Sequence, residues 1–237
     1  MSNQIIAIDG PAAAGKSTVA RALADELDAL LLDTGALYRA VTLLALRSGT
    51  HLSDGPALAD LASASVLQVT PPSIPDGRFY DVSLNGEDIT WAIRDPAVDA
   101  AVSPVSAHPE VRDALLALQR RIASQGRVVI VGRDTGTVVV PEATVKVFLV
   151  ASAEERACRR HRELASRGVD TRLGDVLADL ERRDRLDQDR DVAPLQAAED
   201  AIIVETDQRS VGDVVAAIKV MAERAWHPMA ARHARGR

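Results

Sequence analysis

Short apolar runs alternate with amphipathic stretches along most of the 237-residue chain. The runs whose length and composition suit buried strands lie at 4–9, 29–33, 127–131, 145–150 and 201–204. Stretches in which apolar residues recur every three or four positions predict helices at 17–27, 35–47, 56–64, 106–124, 153–167, 175–185 and 211–225. This alternation predicts an α/β fold, in which helices cover both faces of a mainly parallel β-sheet.

The pattern changes between residues 66 and 102. A strand-like run at 66–69 precedes a proline-rich loop, a second run at 79–84, and the pair Asn85-Gly86 before a third short run. An Asn-Gly pair between two such runs is the strongest short-range signal for a β-hairpin. We therefore predict a small antiparallel insert at 66–102, although a surface hairpin without function has the same pattern. The domains predicted around it are a core formed by 1–65 and 103–225, and a C-terminal tail at 226–237 that is expected to be disordered.

The first strand is followed by a phosphate-binding motif. Residues 10–17 read G-P-A-A-A-G-K-S, which matches G-x-x-x-x-G-K-[ST] between a strand and a helix. Glycines let the backbone turn sharply, so that successive N–H groups and the helix N-terminus face a polyphosphate. Lys16 is predicted to contact the β- and γ-phosphates of ATP, and Ser17 to bind Mg²⁺. The nucleotide-binding residues are predicted to be Gly10, Pro11, Ala12, Ala13, Ala14, Gly15, Lys16, Ser17 and Thr18.

Composition narrows the partners. The net charge is −6 and aromatic residues make up 3% of the chain, which argues against a nucleic-acid partner. The single cysteine, Cys158, excludes an intrachain disulfide. The sequence has no cluster of Cys or His residues that would indicate a zinc site. The sequence shows neither a signal-peptide pattern nor an apolar run long enough to span a bilayer. We expect a cytoplasmic monomer that binds neither nucleic acid nor membrane.

The phosphate-binding motif is shared by several classes of enzyme. The guanine-binding motif of GTPases and the signature of ABC-type ATPases are both missing from the sequence, and the acid after the strand at 127–131 is offset from the position usual in mechanical ATPases. A kinase that acts on a phosphorylated acceptor must neutralise two anions, and all but three of the 28 basic residues are arginines. The candidate arginines are Arg39, Arg112, Arg133, Arg156, Arg160, Arg183 and Arg190. A regulatory module that binds ATP without transferring phosphate remains an alternative.

Three segments resemble the bacterial cytidylate kinases. They are L-D-T-G-A-L-Y-R at 32–39, G-R-D-T-G-T-V-V at 132–139, and R-D-R-L-D-Q-D-R at 183–190 with A-P-L at 193–195. The resemblance runs from Ile5 to about Ile218 and includes the insert. It implies the P-loop NTPase fold with a helical lid at about 153–172 and an insert that binds a nucleoside monophosphate. It also implies that ATP and CMP or dCMP, with Mg²⁺, give ADP and CDP or dCDP.

The resemblance also implies roles for individual residues. The residues around the monophosphate would be Thr34, Tyr38, Arg39, Ser103, Arg112, Arg133, Asp134, Arg183, Asp187 and Arg190. Those that act on the transferring group would be Lys16, Arg133, Arg156, Arg160 and Arg183. Asp134 would either accept the cytosine amino group or orient an arginine that reads the base, while Asp187 and Arg190 would hold the sugar. Arg156 and Arg160, one helical turn apart, would belong to the lid, although a solvated helix face has the same pattern.

Overall fold

The computed structural model describes residues 4–166, 168–190 and 192–226. The strands are β1 (Gln4–Asp9), β2 (Leu30–Asp33), β3 (Leu67–Thr70), β4 (Asp81–Leu84), β5 (Glu87–Asp88), β6 (Arg127–Val131), β7 (Val145–Val150) and β8 (Ile202–Glu205). The helices are α1 (Lys16–Leu27), α2 (Thr34–Ser48), α3 (Gly55–Ala64), α4 (Pro96–Ala107), α5 (Pro109–Ala123), α6 (Ala153–Ser166), α7 (Leu173–Gln188) and α8 (Val211–Trp226). The tail predicted to be disordered lies outside the described residues apart from Trp226, which ends α8.

The central sheet has the order β2-β6-β1-β7-β8, and every neighbouring pair is parallel. In the middle of the sheet, Ile8 pairs with Val131 on one side and Val147 on the other. Four consecutive residues of β6, from Val128 to Val131, are at most 1% exposed, so both faces of the sheet are covered. The α/β prediction is therefore confirmed, and the carboxyl ends of the strands share one edge. None of the described helices is long and apolar enough to cross a membrane.

The insert contains the predicted small antiparallel sheet, in the order β3-β4-β5. Asn85 and Gly86 connect β4 to β5 with φ values of +52° and +86°. Positive φ at both positions gives the tight turn that an Asn-Gly pair favours. The Asn85 side chain also accepts a hydrogen bond from the Val66 backbone N–H (2.8 Å), which joins the turn to the start of β3.

Helix α4 was not predicted, and the predicted insert boundary at 102 falls inside it. Asp95 caps the helix by accepting from the Ala97 N–H (2.8 Å), and Pro96 occupies the first turn. Val98, Val102 and Val105 form its buried face. Pro104 lies inside the helix and interrupts a pattern that otherwise indicates one. Because α4 ends just before Pro109, the next helix starts there rather than at 106.

Candidate active site

A cavity of about 780 Å³ opens at the carboxyl edge of the central sheet. The phosphate loop, the ends of β2 and β6, helices α4, α6 and α7, and the insert all contribute to its lining. Every residue predicted to surround the monophosphate lines it: Thr34, Tyr38, Arg39, Ser103, Arg112, Arg133, Asp134, Arg183, Asp187 and Arg190. Residues far apart in the chain thus meet in one cleft, as expected where parallel strands end.

The phosphate loop holds Lys16 in place. Its ammonium donates to the carbonyl oxygens of Gly10 and Pro11, both at 2.7 Å. Burial, followed by repulsion from Arg133, lowers the pKa of Lys16 well below its ordinary value. An anion beside the ammonium would oppose this shift, because a nearby negative charge favours the protonated form. Of the predicted nucleotide-binding residues, Ala12, Ala13, Gly15, Lys16, Ser17 and Thr18 line the cleft, whereas Gly10, Pro11 and Ala14 lie behind it.

Gly10 has no room for a side chain. Its φ is +143°, and a Cβ would lie 2.2 Å from the backbone oxygen of Leu149. We expect Gly10→Ala to displace the loop at a cost of about 1–3 kcal/mol, which would weaken ATP binding about tenfold or more. Gly49→Ala is the matched control: its φ is also positive (+71°), but no described atom lies within 4 Å of the added methyl group.

The two glycine variants are compared by calorimetric titration with ATP and by thermal unfolding. Gly49→Ala should cost about 1 kcal/mol of stability and leave ATP affinity unchanged. If Gly10→Ala binds ATP as the wild type does, the close approach of loop and strand is not what shapes the phosphate site.

Ser17 and Asp33 meet beside the loop. The Ser17 hydroxyl donates to Asp33 Oδ2 (3.3 Å), and the Gly35 N–H donates to Asp33 Oδ1 (3.0 Å) and so caps α2. Tyr80 of the insert donates its hydroxyl to the same Oδ2 atom (3.1 Å). The contact with Tyr80 was not predicted, since Tyr80 lies 47 positions from Asp33 in the sequence. The carboxylate thus joins the phosphate loop, α2 and the insert.

Asp9 fixes the loop that follows β6. Its buried carboxylate accepts from the Thr135 N–H, the Thr135 hydroxyl and the Gly136 N–H, each at 2.8 Å. Burial raises the pKa of Asp9, although these donors oppose the effect. Because Asp9 directly precedes Gly10, the same residue ties the phosphate loop to the segment that carries Arg133 and Asp134.

Asp99 joins three arginines that come from three different helices. It accepts from Arg39 of α2 (2.7 Å) and from Arg160 of α6, and its carboxylate lies 3.8 Å from Arg183 of α7. Burial raises the pKa of Asp99, but the three guanidinium groups outweigh that effect and the net shift is downward. Asp99 lies on the unpredicted α4. The signals for that helix, an Asp-Pro pair and valines at helical spacing, could have placed it in the site.

Arg112 and Asp134 form a buried ion pair in the cleft. Arg112 also stacks on the ring of Tyr38, with its guanidinium carbon 5.5 Å from the ring centre. The buried carboxylate of Asp187 pairs with Arg133 (2.8 Å), which is half-buried, and with Arg190. The Asp187–Arg190 pair is therefore part of the cleft rather than a surface pair on a solvated helix.

The structure separates Arg156 from Arg160, which were expected to act together in a lid. Arg160 lines the cleft and contacts Asp99. Arg156 is buried outside the cleft lining, where Nη1 lies 2.6 Å from Asp184 Oδ2 and donates to the Ala12 oxygen (3.2 Å). One turn of helix moves the side chain from the open cleft to the packed junction between the phosphate loop, α6 and α7. Arg156 thus supports the loop from behind.

Arg159 lines the cleft but was not among the predicted site residues. It donates to the hydroxyl and backbone oxygens of Thr206 (3.0 and 2.8 Å), and Thr206 in turn donates to the Ala14 oxygen of the phosphate loop (3.2 Å). In the sequence, Arg159 is one of several charged residues on a helix rich in Arg and Glu. Only its tertiary contacts distinguish it.

The chain is similar in sequence to known proteins over most of its length. The chain is 50% identical over 213 residues to the cytidylate kinase of Herpetosiphon aurantiacus, and the matched region covers 90% of this chain and 91% of that protein. It is also 50% identical over 211 residues to the cytidylate kinase of Carboxydothermus hydrogenoformans, covering 89% and 93%. A solved structure of an uncharacterized protein from Eubacterium ventriosum has a TM-score of 0.50 at 14% identity, covering 94% and 99%, which is a likeness of fold alone.

The phosphate loop, the arginine-lined cleft and the antiparallel insert all lie within the part of the chain that a family-wide comparison recognises. The sequence model described as cytidylate kinase matches residues 6–224. The chain therefore belongs to the cytidylate kinase family.

Proposed function

We propose that this protein transfers the γ-phosphoryl group of ATP to CMP or dCMP, giving ADP and CDP or dCDP. The observation that carries the proposal is a single cleft that joins a phosphate loop, with Lys16 at its centre, to a set of arginines at the ends of the same sheet. A loose phosphoryl-transfer transition state is stabilised mainly by positioning and by cationic groups, so the site needs no strong general base.

In this proposal the cleft has a donor side and an acceptor side. Lys16 and the loop N–H groups bind the β- and γ-phosphates of ATP, and Arg160 approaches the transferring group from the lid, taken as residues 153–172. Arg39 and Arg133 bind the phosphate of the acceptor, since guanidinium groups grip phosphate in forked pairs. Arg183 lies between the two sides. The carboxylates that now pair with these arginines, Asp99 and Asp187, keep the cations together before substrates enter.

The base and the sugar are assigned to the buried ion pairs. The Arg112–Asp134 pair faces the cytosine, with Asp134 as the acceptor for its amino group, while Thr34, Tyr38 and Ser103 border the monophosphate. Asp187 and Arg190 hold the sugar hydroxyls. The domain division proposed is an acceptor-binding insert that begins at 66 and ends before α4, in a core formed by the residues on either side of it. The enzyme acts as a monomer in the cytoplasm. Its partners are small molecules, because a chain of net charge −6 does not favour a polyanionic partner.

The residues beside Lys16 fit a magnesium ion. Ser17 offers a hydroxyl oxygen and Asp33 a carboxylate oxygen, 3.3 Å apart, and both line the cleft. Mg²⁺ prefers oxygen ligands and keeps several waters, so Ser17 would hold it directly and Asp33 through water. When bound, the ion neutralises charge on the β- and γ-phosphates.

A coupled assay of ADP release across the nucleoside monophosphates tests the proposal. We expect turnover with CMP and dCMP, weaker turnover with UMP, and none without an acceptor. A protein that binds ATP but shows no acceptor-dependent turnover would be a regulatory module, and the proposed reaction would be wrong.

The role of the insert is tested separately by amide hydrogen exchange. We expect CMP to slow exchange in β4 and β5 around Asn85 and Gly86 because an occupied acceptor site holds the insert in place, whereas ATP alone should slow it less. Mass spectrometry of peptides from 66–95 gives the measurement, with peptides of α8 as the internal control. Equal exchange with and without CMP would favour a hairpin that has no part in binding.

A further inference from the structure

The insert is linked to the phosphate loop by the phenol of Tyr80, which contacts Asp33 beside the loop. Tyr80 lies just before β4, is 4% exposed, and lines the cleft. Its hydroxyl donates to Asp33 Oδ2 (3.1 Å), and it accepts from Arg94 Nη2 (3.5 Å), whose guanidinium stacks over its ring. The phenol thus reaches out of the insert to the end of β2.

Asp33 links Tyr80 to the donor side of the cleft. The oxygen that accepts from Tyr80 also accepts from Ser17, the residue that follows Lys16 in the phosphate loop. The other oxygen accepts from the Gly35 N–H and is held by the start of α2. A displacement of Tyr80 therefore changes the hydrogen-bonding of an oxygen that also orients the Ser17 hydroxyl.

The phenol of Tyr80 donates to a carboxylate, with its oxygen 3.1 Å from Asp33 Oδ2. A protonated hydroxyl beside a carboxylate forms a charge-assisted hydrogen bond, which is stronger than one between neutral groups. Phenylalanine at this position would keep the ring and the guanidinium of Arg94 stacked over it, and would remove the bond to Asp33 together with the long bond from Arg94 (3.5 Å).

Another contact between the insert and the core lies away from the Ser17–Asp33 pair. Arg47 of α2 forms a two-pronged ion pair with Glu87 of β5 (2.9 and 3.0 Å) at the far end of the hairpin, where both side chains are exposed. This pair anchors the insert without touching the phosphate loop. It therefore provides a control for the effect of anchoring alone.

We propose that Tyr80 is a positioning residue that couples the acceptor site to the donor site: through Asp33 it sets the orientation of the Ser17 hydroxyl according to the position of the insert. This rests on the proposed function, in which the insert binds the monophosphate and Ser17 faces the donor phosphates. A bound monophosphate that fixes the position of the insert would raise the affinity of the donor site for ATP. By linkage, bound ATP would raise the affinity for the monophosphate by the same factor.

The coupling is measured by calorimetric titration of a non-hydrolysable ATP analogue with Mg²⁺, in the absence and presence of saturating CMP. In the wild type we expect CMP to tighten binding of the analogue about five- to tenfold. In Tyr80→Phe that factor should fall close to one, while the affinity for CMP alone changes less than twofold. kcat should fall and KM for CMP should change little, because the hydroxyl donates to Asp33, which contacts Ser17 on the proposed donor side of the cleft.

Glu87→Gln is the matched control and should keep the wild-type coupling factor. If Tyr80→Phe also keeps that factor, or if both variants lose it equally, the inference is overturned, since general anchoring of the insert would explain the result. Amide exchange at Gly35 tests the link in the free protein. Tyr80→Phe should speed it at least severalfold and Glu87→Gln should not, because the Gly35 N–H depends on the carboxylate that Tyr80 holds.

The two hypotheses fail in different ways. A wild type that binds no CMP contradicts the proposed function, and exchange at Gly35 still decides whether Tyr80 holds Asp33. Unchanged exchange at Gly35 in Tyr80→Phe overturns the inference even if the wild type turns over CMP normally.

Discussion

The Lys16→Ala variant is expected to lose about a hundredfold or more in kcat while it keeps the wild-type fold. The ammonium of Lys16 lies in the phosphate loop between the carbonyl oxygens of Gly10 and Pro11, each 2.7 Å away. In the proposed reaction this is where the β- and γ-phosphates bind. A cation fixed in advance at a buried site stabilises the charge of the transferring group more than solvent does, and alanine supplies no substitute.

The fold should survive because removing a buried cation also removes its desolvation cost, the main cause of the lowered pKa of Lys16. Lys219→Ala is a control that removes a lysine from the outer surface, where it pairs with Glu26 (2.9 Å), and it should leave kcat unchanged. Steady-state kinetics with ATP and CMP, together with thermal unfolding, give the comparison. Near-normal turnover by a folded Lys16→Ala protein would show that the phosphate loop has no part in the phosphoryl transfer.

The second large effect is expected at Asp134, which is proposed to read the base. CMP presents an amino donor and an unprotonated ring nitrogen, whereas UMP presents a carbonyl and an N–H at the same edge. A buried carboxylate satisfies the first pattern and not the second. We expect the wild type to prefer CMP, and Asp134→Ala to lose about 2–3 kcal/mol with CMP, roughly 30- to 150-fold in kcat/KM, and much less with UMP.

The buried pair of Asp134 with Arg112 adds a complication that the experiment must separate. Removing one partner of a buried pair leaves a charge uncompensated and costs stability with any substrate. Asp134→Asn therefore accompanies Asp134→Ala, since the amide keeps the shape and one acceptor oxygen. Thermal unfolding shows whether each variant is folded. If CMP and UMP lose kcat/KM in equal proportion, Asp134 holds Arg112 rather than reading the base.

Elements with a strong local pattern were predictable. The apolar runs of the central strands, the glycines around Lys16, and the Asn85-Gly86 turn each act within a few residues, and the structure shows each where it was expected. Helix α4 has the same kind of signal, but Pro104 interrupts it, and the prediction placed its first half in the insert. Helix α7 continues to Gln188 and so carries Asp187, whereas the predicted helix ended at 185.

Which charged side chains form pairs depends on the tertiary fold. Asp99 lies 60 positions from Arg39 and 61 from Arg160, and no periodicity along the chain connects them. Arg156 and Arg160 look equivalent on a helix, yet one is packed behind the phosphate loop and the other faces the cleft. What distinguishes them is the surface against which α6 packs.

The order of the strands and of every helix except α4 could be predicted from the sequence, as could the phosphate loop, because backbone geometry and hydrophobic period act over neighbouring residues. The pairing of Asp99 with three arginines depends on the packing of α4 beside α2, α6 and α7. The contact from Tyr80 through Asp33 to Ser17 depends on the approach of the insert to the end of β2. Ion pairs and hydrogen bonds act over a few ångströms in space. The spacing of residues along the chain does not show which residues the fold brings within that distance.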